Sequence, residues 1–215
     1  VIPDAGSAEQ SKGNIDIVSE VNQDTDDRIS RQIKEISIQI VELDAQLNDE
    51  NIEDNLKVIA AYPQLKNLPI VIGESDPEGC AACGMATSPQ NAYRNGTMYS
   101  SYTAATFARK YELAKKYNSN LMGAVTWAFE FENQPWFYGF RDLATNGVDK
   151  PVLNVFRMFG KMQGDFVEST SDHAYSLQMA LDSSFRGAKT DIGTLATKNK
   201  NTASIMIWNY HDVDK

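Results

Sequence analysis

Histidine, cysteine and basic residues are scarce in this chain, and each scarcity argues against a class of function. The 215 residues include only 2 histidines and 2 cysteines. A four-ligand zinc site would need His173 and His211, which both lie far from the cysteines in sequence. The 20 Lys and Arg are outnumbered by 29 Asp and Glu, for a formal net charge of -9. That balance disfavours nucleic acid and anionic membranes as partners, since both attract cations.

Long apolar runs are also missing. No stretch reaches the length of a membrane-spanning helix, and the first residues lack the charged and apolar regions of a signal peptide. The chain begins with Val1 rather than Met, and we therefore expect a processed form or an excerpt of a longer protein. Hydrophobic residues make up 42% and charged residues 23%, which is typical of a globular protein with a real core.

The two cysteines form a single C-x-x-C pair, Cys80 and Cys83. Such a pair can be a redox centre, half of a zinc site or a small local disulfide. A thioredoxin-like pair would open a helix, whereas residues 84–89 are predicted to be a loop. We therefore favour a structural loop, bridged or unbridged, over a redox or metal site.

An amphipathic helix is predicted from Asp24, because acidic and capping residues precede a regular apolar pattern. The pattern has heptad spacing and comprises Ile29, Ile33, Ile36, Ile40, Leu43 and Leu47. It favours either a partner-binding coiled coil or a helix that packs within its own domain. Ile38 and Val41 widen the apolar face, so we favour packing within the domain. A short strand is predicted over residues 15–18.

Two apolar runs flank a predicted helix and indicate a parallel pair of strands. Residues 68–74 and 121–127 are predicted as buried strands, with a helix over residues 99–117 between them. The order strand, helix, strand predicts parallel pairing. Further helices are predicted over residues 52–61 and 150–162, since Pro suits the first turn of the second.

The pattern changes after residue 164, where closely spaced strands are predicted. They cover residues 175–181, 190–197 and 203–209, with a hairpin turn over residues 198–201. We interpret this region as the beginning of an all-β module that the chain does not complete.

Glu74 ends the first predicted strand, and Gly and Pro residues follow it. A carboxylate there would lie at the C-terminal end of a parallel sheet or barrel, where α/β enzymes carry their chemistry. The alternative is that Glu74 caps a loop or pairs with a cation. After the second strand, residues 127–138 alternate between aromatic and acidic side chains, which suits sugar binding. Core packing or a partner contact is the alternative there.

Several segments carry a resemblance to a known family, namely Gly73-Glu74, residues 93–97, residues 127–134, residues 139–157 and residues 205–212. They resemble glycoside hydrolase family 39, and its bacterial β-xylosidases most of all. The resemblance runs from about Asn55 to Lys215, whereas residues 15–50 fit the family poorly. It implies a (β/α)8 barrel and a retaining mechanism, in which two carboxyl groups lie about 5–5.5 Å apart.

The resemblance also implies roles for particular residues. Glu74 would be the catalytic nucleophile, at the end of the seventh barrel strand. Trp127 would be a sugar platform, and Glu130 or Glu132 would bind substrate hydroxyls; Trp136 lies in the same substrate-binding segment. The acid/base of the family is the Glu of an Asn-Glu-Pro motif, which is absent from these 215 residues.

We therefore expect an α/β fold with three parts. These are a poorly matched segment over residues 1–50, the C-terminal part of a (β/α)8 TIM barrel over 51–164, and the start of a β-sandwich over 165–215. The expected substrate is a xyloside, with no cofactor, metal, nucleic acid or membrane, and open strand edges favour homo-oligomers. The alternative is a non-catalytic carbohydrate-binding or helix-mediated interaction fragment. An Asn-Glu-Pro strand encoded upstream of Val1 would favour the enzyme.

Overall fold

The computed structural model describes residues 27–32, 49–77, 79–127, 133–185 and 188–212. The chain divides into two units, Val1–Ile40 and Val41–Lys215. Within the first unit the structure describes a helix, α1, over residues 27–32, which falls inside the helix predicted from Asp24. The predicted strand over residues 15–18 and the rest of the heptad pattern lie outside the described residues.

Helices and short strands alternate through the first part of the second unit. In chain order they are α2 (Asp49–Ala60), a 3₁₀ turn (Pro63–Leu65), β1 (Ile70–Ile72), a second 3₁₀ turn (Pro89–Asn95), α3 (Thr97–Tyr117) and β2 (Leu121–Ala124). The later elements are β3 (Ala144–Thr145), β4 (Val148–Asp149), α4 (Pro151–Lys161), β5 (Asp165–Val167), α5 (Leu177–Ser183), β6 (Asp191–Lys198) and β7 (Ala203–Tyr210). The described residues therefore form an α/β fold. None of their helices has an apolar stretch sufficient to cross a lipid bilayer.

Strands β1 and β2 pair in parallel, as the strand, helix, strand order predicts. Ile70 lies opposite Leu121, and Ile72 lies opposite Ala124. The prediction that both strands are fully buried is wrong. Successive side chains of a strand point to opposite faces, so Ile72 is buried whereas the side chain of Val71 is 57% exposed. This two-stranded sheet is therefore covered on one face only.

Helix α3 confirms the helix predicted over residues 99–117 and lies at the centre of the hydrophobic core. It ends at Asn118, which adopts the left-handed conformation (φ 48°) that commonly terminates a helix. Small alanines on α3 allow close approach of β7 and α4. The core they share comprises Ala104, Ala105, Ala108, Val155, Tyr175, Ala180, Phe185, Met206, Trp208 and Tyr210.

The predicted β6–β7 hairpin is confirmed, and its turn is closed by the side chain of Asn199. The Asn199 amide oxygen accepts hydrogen bonds from the backbone N–H groups of Asn201 (2.9 Å) and Thr202 (2.8 Å). Strand β5 adds a third antiparallel strand beside β6. The β3–β4 hairpin was not predicted, although its Asn146-Gly147 turn is a strong hairpin signal: both residues have positive φ, at 47° and 83°.

The strand predicted over residues 175–181 is wrong, because this segment forms helix α5. The hydroxyl of Ser176 accepts a hydrogen bond from the backbone N–H of Met179 at 3.2 Å, which caps the helix. Ala180 and Leu181 then follow Leu177 at the spacing of one helix face, and both are buried.

Candidate active site

Glu74 lies where the parallel pair of strands ends. Beyond the regular strands, the backbone pairing continues: Val125 N–H donates to the carbonyl of Ile72 (3.0 Å), and Ser75 N–H donates to the carbonyl of Val125 (2.8 Å). The carboxyl ends of both strands therefore meet at one edge of the sheet. The Glu74 residue is 7% exposed there.

A single arginine links Glu74 to a second carboxylate. Nη1 of Arg141 donates to Oε1 of Glu74 and also to Oδ2 of Asp76, the latter at 2.6 Å. Arg141 is fully buried. Glu74 is therefore paired with a cation, as the loop alternative anticipated. A cation partner alone does not exclude a catalytic role.

Asp76 is the more enclosed of the two carboxylates and is saturated with donors. Besides Arg141, it accepts hydrogen bonds from the hydroxyl of Tyr99 (3.0 Å), the hydroxyl of Thr126 and the backbone N–H of Trp127 (2.9 Å). An ionised carboxylate only accepts hydrogen bonds, so four donors suit it well. Because Asp76 is 1% exposed, it cannot reach a bound ligand and serves as a fixed counter-ion.

The cluster shifts the pKa values of two of its members. Burial alone would lower the pKa of Arg141, but the charge of Asp76 and the hydrogen bond to Glu74 outweigh it, so this pKa is raised. Burial, followed by the charge of Asp76, raises the pKa of Tyr99 far above its usual value. The guanidinium therefore stays charged, and the phenol stays a hydrogen-bond donor.

A disulfide loop holds the backbone of Arg141 in place. Cys80 and Cys83 form a disulfide, with their Cα atoms 5.4 Å apart, so the bridged form of the predicted loop is the one observed. Inside it, the carbonyl of Ala81 accepts a hydrogen bond from the backbone N–H of Arg141 at 3.0 Å. Buried Arg94 donates to the carbonyls of Cys80 (2.8 Å) and Gly139 (3.1 Å), which ties the two loops together.

The segment around Arg141 is closely packed on both sides. At Gly139 (φ +80°), a Cβ atom would lie 2.7 Å from Cγ of Met85 and 3.0 Å from the carbonyl oxygen of Asn91. Only glycine fits that position without strain. On the other side, the buried Lys150 ammonium donates to the carbonyl of Phe140 (2.9 Å) and to Asp142. Burial lowers the pKa of Lys150, and Asp142 opposes that shift.

Of the four predicted substrate-binding residues, the structure describes Trp127 and Trp136. The backbone N–H of Trp127 binds Asp76, while the residue as a whole is 54% exposed beside the site. Trp136 is 58% exposed on the loop before β3. That loop is held by Asn146, whose side-chain N–H donates to the carbonyl of Gln134 at 3.3 Å. Glu130 and Glu132 lie outside the described residues.

Four residues of the site were not predicted from sequence: Asp76, Tyr99, Thr126 and Arg141. Asp76 carried a local signal, since it lies two residues after Glu74 in the same loop. Arg141 was part of a segment with family resemblance but had no assigned role. Within the part of the chain that the structure describes, no three His, Cys, Asp or Glu side chains are placed to hold a metal ion.

Comparison with known proteins places this chain in a family. The model of Glycosyl hydrolases family 39 matches residues 10–212. The match therefore includes residues 15–50, which the motifs alone had suggested fit poorly. No curated protein matches the chain. Because the matched range covers nearly the whole sequence, the chain belongs to glycoside hydrolase family 39.

Proposed function

We propose that this glycoside hydrolase acts on β-xylosides by a retaining mechanism, with Glu74 as its nucleophile. The observation that carries the proposal is the contrast between the two carboxylates on Arg141. Asp76 is enclosed and has four donors, whereas Glu74 lies at the end of a parallel strand and keeps some exposure. Glu74 is therefore the carboxylate of the pair that a ligand can reach.

The proposed first step transfers the glycosyl group to Glu74. A carboxylate oxygen of Glu74 forms a bond to the anomeric carbon, and the bond from that carbon to the leaving oxygen breaks. The electron pair goes to the leaving oxygen, which a general acid would protonate; water then hydrolyses the ester. Asp76 does not suit the acid role, because its carboxylate is buried among donors.

We assign no acid/base residue for this reaction, because the Asn-Glu-Pro motif does not occur in the 215 residues. General acid and base assistance each contribute about 10²–10⁴-fold to such reactions. We therefore expect slow turnover of ordinary xylosides by the chain alone. Substrates with an activated leaving group need little proton donation, and we expect them to react at Glu74.

For the architecture, we propose that residues 51–164 are the C-terminal part of a (β/α)8 barrel. The parallel β1–β2 pair with α3 between its strands supports this proposal, since a strand, a helix and a parallel strand are the repeating unit of such barrels. We propose residues 165–215 as the start of a β-sandwich, supported by the antiparallel β5–β6–β7 sheet. Residues 1–50 precede both parts.

For the substrate, we propose that Trp127 and Trp136 stack on sugar rings. Their exposure supports this role, because an aromatic face must be open to bind the apolar face of a sugar. We further propose that Glu130 or Glu132 binds sugar hydroxyls. Within the described residues β1 and β2 form a two-stranded sheet, and open edges of such a sheet would favour association between copies of the chain.

Mechanism-based trapping tests the proposal. The purified chain is incubated with an activated 2-fluoro-β-xyloside, and the intact protein is weighed. We expect a mass gain of one fluoroxylosyl unit, located on Glu74 by peptide mapping and lost in Glu74→Ala. The matched control is Glu168→Ala, which removes an exposed glutamate outside the site and is expected to react normally.

Parallel reactions with 2-fluoro-β-glucoside and 2-fluoro-α-arabinoside test the sugar preference. Preferential labelling by the xyloside supports β-xylosidase specificity, and equal or inverted labelling contradicts it. If folded chain shows no adduct with any probe, the nucleophile proposal is wrong. Saturable xylo-oligosaccharide binding without an adduct would then favour the non-catalytic carbohydrate-binding alternative.

A further inference from the structure

Phe137 is an aromatic residue in a backbone conformation that suits glycine or asparagine. Its φ is 49°, in the left-handed region, where a bulky side chain is an outlier. Such conformations cost free energy and persist only where the surrounding structure enforces them. In the described part of the chain, the other non-glycine residues with positive φ are polar: Asn118, Asn133, Asn146 and Ser184.

Hydrogen bonds from three side chains or backbone groups enforce the conformation of Phe137. The Asn95 side chain bridges the turn, since its Nδ2 donates to the carbonyl of Phe137 (2.6 Å) and its Oδ1 accepts from the N–H of Gly139 (3.2 Å). The N–H of Phe137 donates to the hydroxyl of Thr145 at 3.2 Å. The N–H of Met85 donates to the carbonyl of the next residue at 2.7 Å. The backbone is therefore fixed on both sides.

The fixed segment presents aromatic rings to solvent. Trp136 is 58% exposed and Phe137 is 40% exposed. The next two aromatic residues, Tyr138 and Phe140, pack against each other with their ring centroids 5.4 Å apart. The structure therefore holds a strained aromatic residue in place and leaves much of its side chain uncovered.

We propose that Phe137 is a specificity-determining residue which, with Trp136, binds a sugar unit of a β-linked xylo-oligosaccharide beyond the unit that Glu74 attacks. This inference deepens the proposed function and rests on it. The family acts on carbohydrates, and an exposed aromatic ring stacks on the apolar face of a sugar. The occupant of this aromatic surface is therefore the substrate itself.

The position of Phe137 along the chain supports a contact with a neighbouring sugar. Phe137 precedes Arg141 by four residues, which span no more than about 14 Å, and Arg141 contacts Glu74. The backbone N–H of Trp127 binds Asp76 within the same cluster, which suits Trp127 as the platform for the sugar that is attacked. Phe137 lies on a separate loop and suits the next sugar.

Preorganisation gives the strain a physical reason. A loop or side chain that becomes ordered only on binding loses conformational freedom, and this loss weakens affinity. The backbone of Phe137 is already fixed by Asn95 and Thr145, so little further ordering is needed when a sugar binds. The free energy spent on the strained conformation in folding is thereby not spent again in binding.

Equilibrium binding of xylose and xylobiose tests the proposal. Calorimetric titrations use the full chain carrying Glu74→Gln, which cannot form the glycosyl ester. We expect xylobiose to bind more tightly than xylose. Adding Phe137→Ala should raise the Kd of xylobiose about 10-fold, as expected for one aromatic contact, and should leave the Kd of xylose unchanged.

The matched control is Phe166→Ala in the same background. Phe166 is 55% exposed on β5, and its removal should not change the Kd of either sugar. An unchanged Kd of xylobiose in Phe137→Ala would overturn the proposal. An equal rise for xylose and xylobiose would also overturn it, because Phe137 would then not act on the second sugar.

Two further substitutions separate the aromatic face from apolar bulk. Phe137→Trp keeps an aromatic ring and should retain the preference for xylobiose. Phe137→Leu keeps apolar bulk and should lose most of that preference. Equal preference in the Trp and Leu variants would contradict stacking as the mode of binding.

A stability comparison shows whether the ring is retained for packing instead. Asparagine tolerates the left-handed conformation, so Phe137→Asn relieves strain, whereas Phe166→Asn does not. We expect the midpoint of urea unfolding to fall less in Phe137→Asn, although Phe166 is the more exposed of the two residues. A larger fall in Phe137→Asn would assign the ring to packing and overturn the proposal.

The two proposals fail in distinguishable ways. If the adduct on Glu74 forms but xylobiose binding does not depend on Phe137, the proposed function stands and this inference is wrong. If no adduct forms but Phe137 still sets the preference for xylobiose, the nucleophile proposal is wrong and the sugar contact stands. If neither sugar binds, this inference is wrong, and trapping alone decides the role of Glu74.

Discussion

In the part of the chain that the structure describes, two arginines each contact two carboxylates, and only one of these arginines lies where chemistry is expected. Arg141 contacts Glu74 and Asp76. Arg109 on α3 contacts Asp191 at 3.3 Å and Glu112 at 2.6 Å. An arginine between two carboxylates is therefore not by itself the mark of an active site.

The second cluster connects secondary structure elements. Asp191 at the start of β6 accepts hydrogen bonds from Nε1 of Trp208 on β7 and from the backbone N–H of Tyr175, each at 2.7 Å. Nη2 of Arg109 also donates to the carbonyl of Tyr175 at 2.6 Å. The cluster thereby joins α3, the segment before α5 and the β6–β7 hairpin.

The difference lies in the second carboxylate of each arginine. The Glu112 side chain is 44% exposed on the surface of α3 and pairs with an arginine three residues earlier. The Glu74 side chain is 9% exposed and stands at the C-terminal end of a parallel strand. Water screens the first pair, whereas the second lies in a poorly solvated site where charges interact strongly.

The largest expected difference between the clusters is in reactivity. Glu74→Gln should lower the rate of adduct formation by about 10⁴-fold or more, because the amide is not a nucleophile. Glu112→Gln removes the corresponding charge from the other arginine and should change the rate less than about twofold, since its pair is surface-exposed. Intact-mass time courses measure both rates. Equal rates of adduct formation in the two variants would show that the two clusters do not differ in reactivity.

The next largest effect is on stability, and here we expect the larger change in the cluster around Arg109. Asp191→Ala leaves Arg109 buried without its enclosed anion and deprives Trp208 of its acceptor. We expect the free energy of unfolding to fall by about 3–5 kcal/mol. Urea denaturation followed by tryptophan fluorescence measures it. A loss below about 1 kcal/mol would show that this cluster does not hold the elements together.

A smaller loss of stability is expected when the disulfide beside the Arg141 cluster is removed. The bridge closes a loop with a sequence separation of 3, and so short a loop contributes about 2 kcal/mol in the chain-entropy model. Replacing both cysteines by serine should lower stability by about that amount and slow trapping, because Ala81 anchors Arg141. Reductant should reproduce the effect in the wild type and change nothing in the double serine variant.

The smallest effect concerns Glu53, a carboxylate on α2 with exposed cationic partners. Hydrogen bonds from Lys116 and then Tyr117 lower the pKa of Glu53 from 4.5 to about 2. Its contribution to stability is therefore present above about pH 4.5 and is lost as the pH falls toward 2.

Because the Lys116 side chain is 42% exposed, we expect that contribution to be no more than about 1 kcal/mol. Unfolding experiments between pH 7 and pH 2 measure it. Glu53→Gln should slightly reduce the loss of unfolding free energy at acidic pH and should not affect the rate of adduct formation. A loss of stability that grows with increasing pH in this range would contradict the assignment.

Elements with a strong local pattern were predicted well. Helices α3 and α4 follow from their apolar and capping residues, and the β6–β7 hairpin follows from its turn residues. Helix α5 was missed because its short apolar segment suits a strand as well, and the Ser176 cap decides between them. The exposure of Val71 was missed because burial depends on what covers a strand and not on its own composition.

In the candidate site, too, local features were predicted from the sequence and long-range contacts were not. Glu74 was identified from its position after an apolar strand, which is a local feature. Its pairing with Arg141 spans 67 residues of sequence, and Asp76 pairs with the same arginine across 65. No periodicity relates residues so far apart.

The sequence by itself determined the family, the parallel pairing and Glu74 as the candidate nucleophile, because each depends on motifs or on spacing along the chain. Only the tertiary structure decided which charges share the buried site. Burial makes a charge depend on its neighbours in space, and the disulfide loop and the segment around Gly139 bring Arg141 to Glu74 and Asp76.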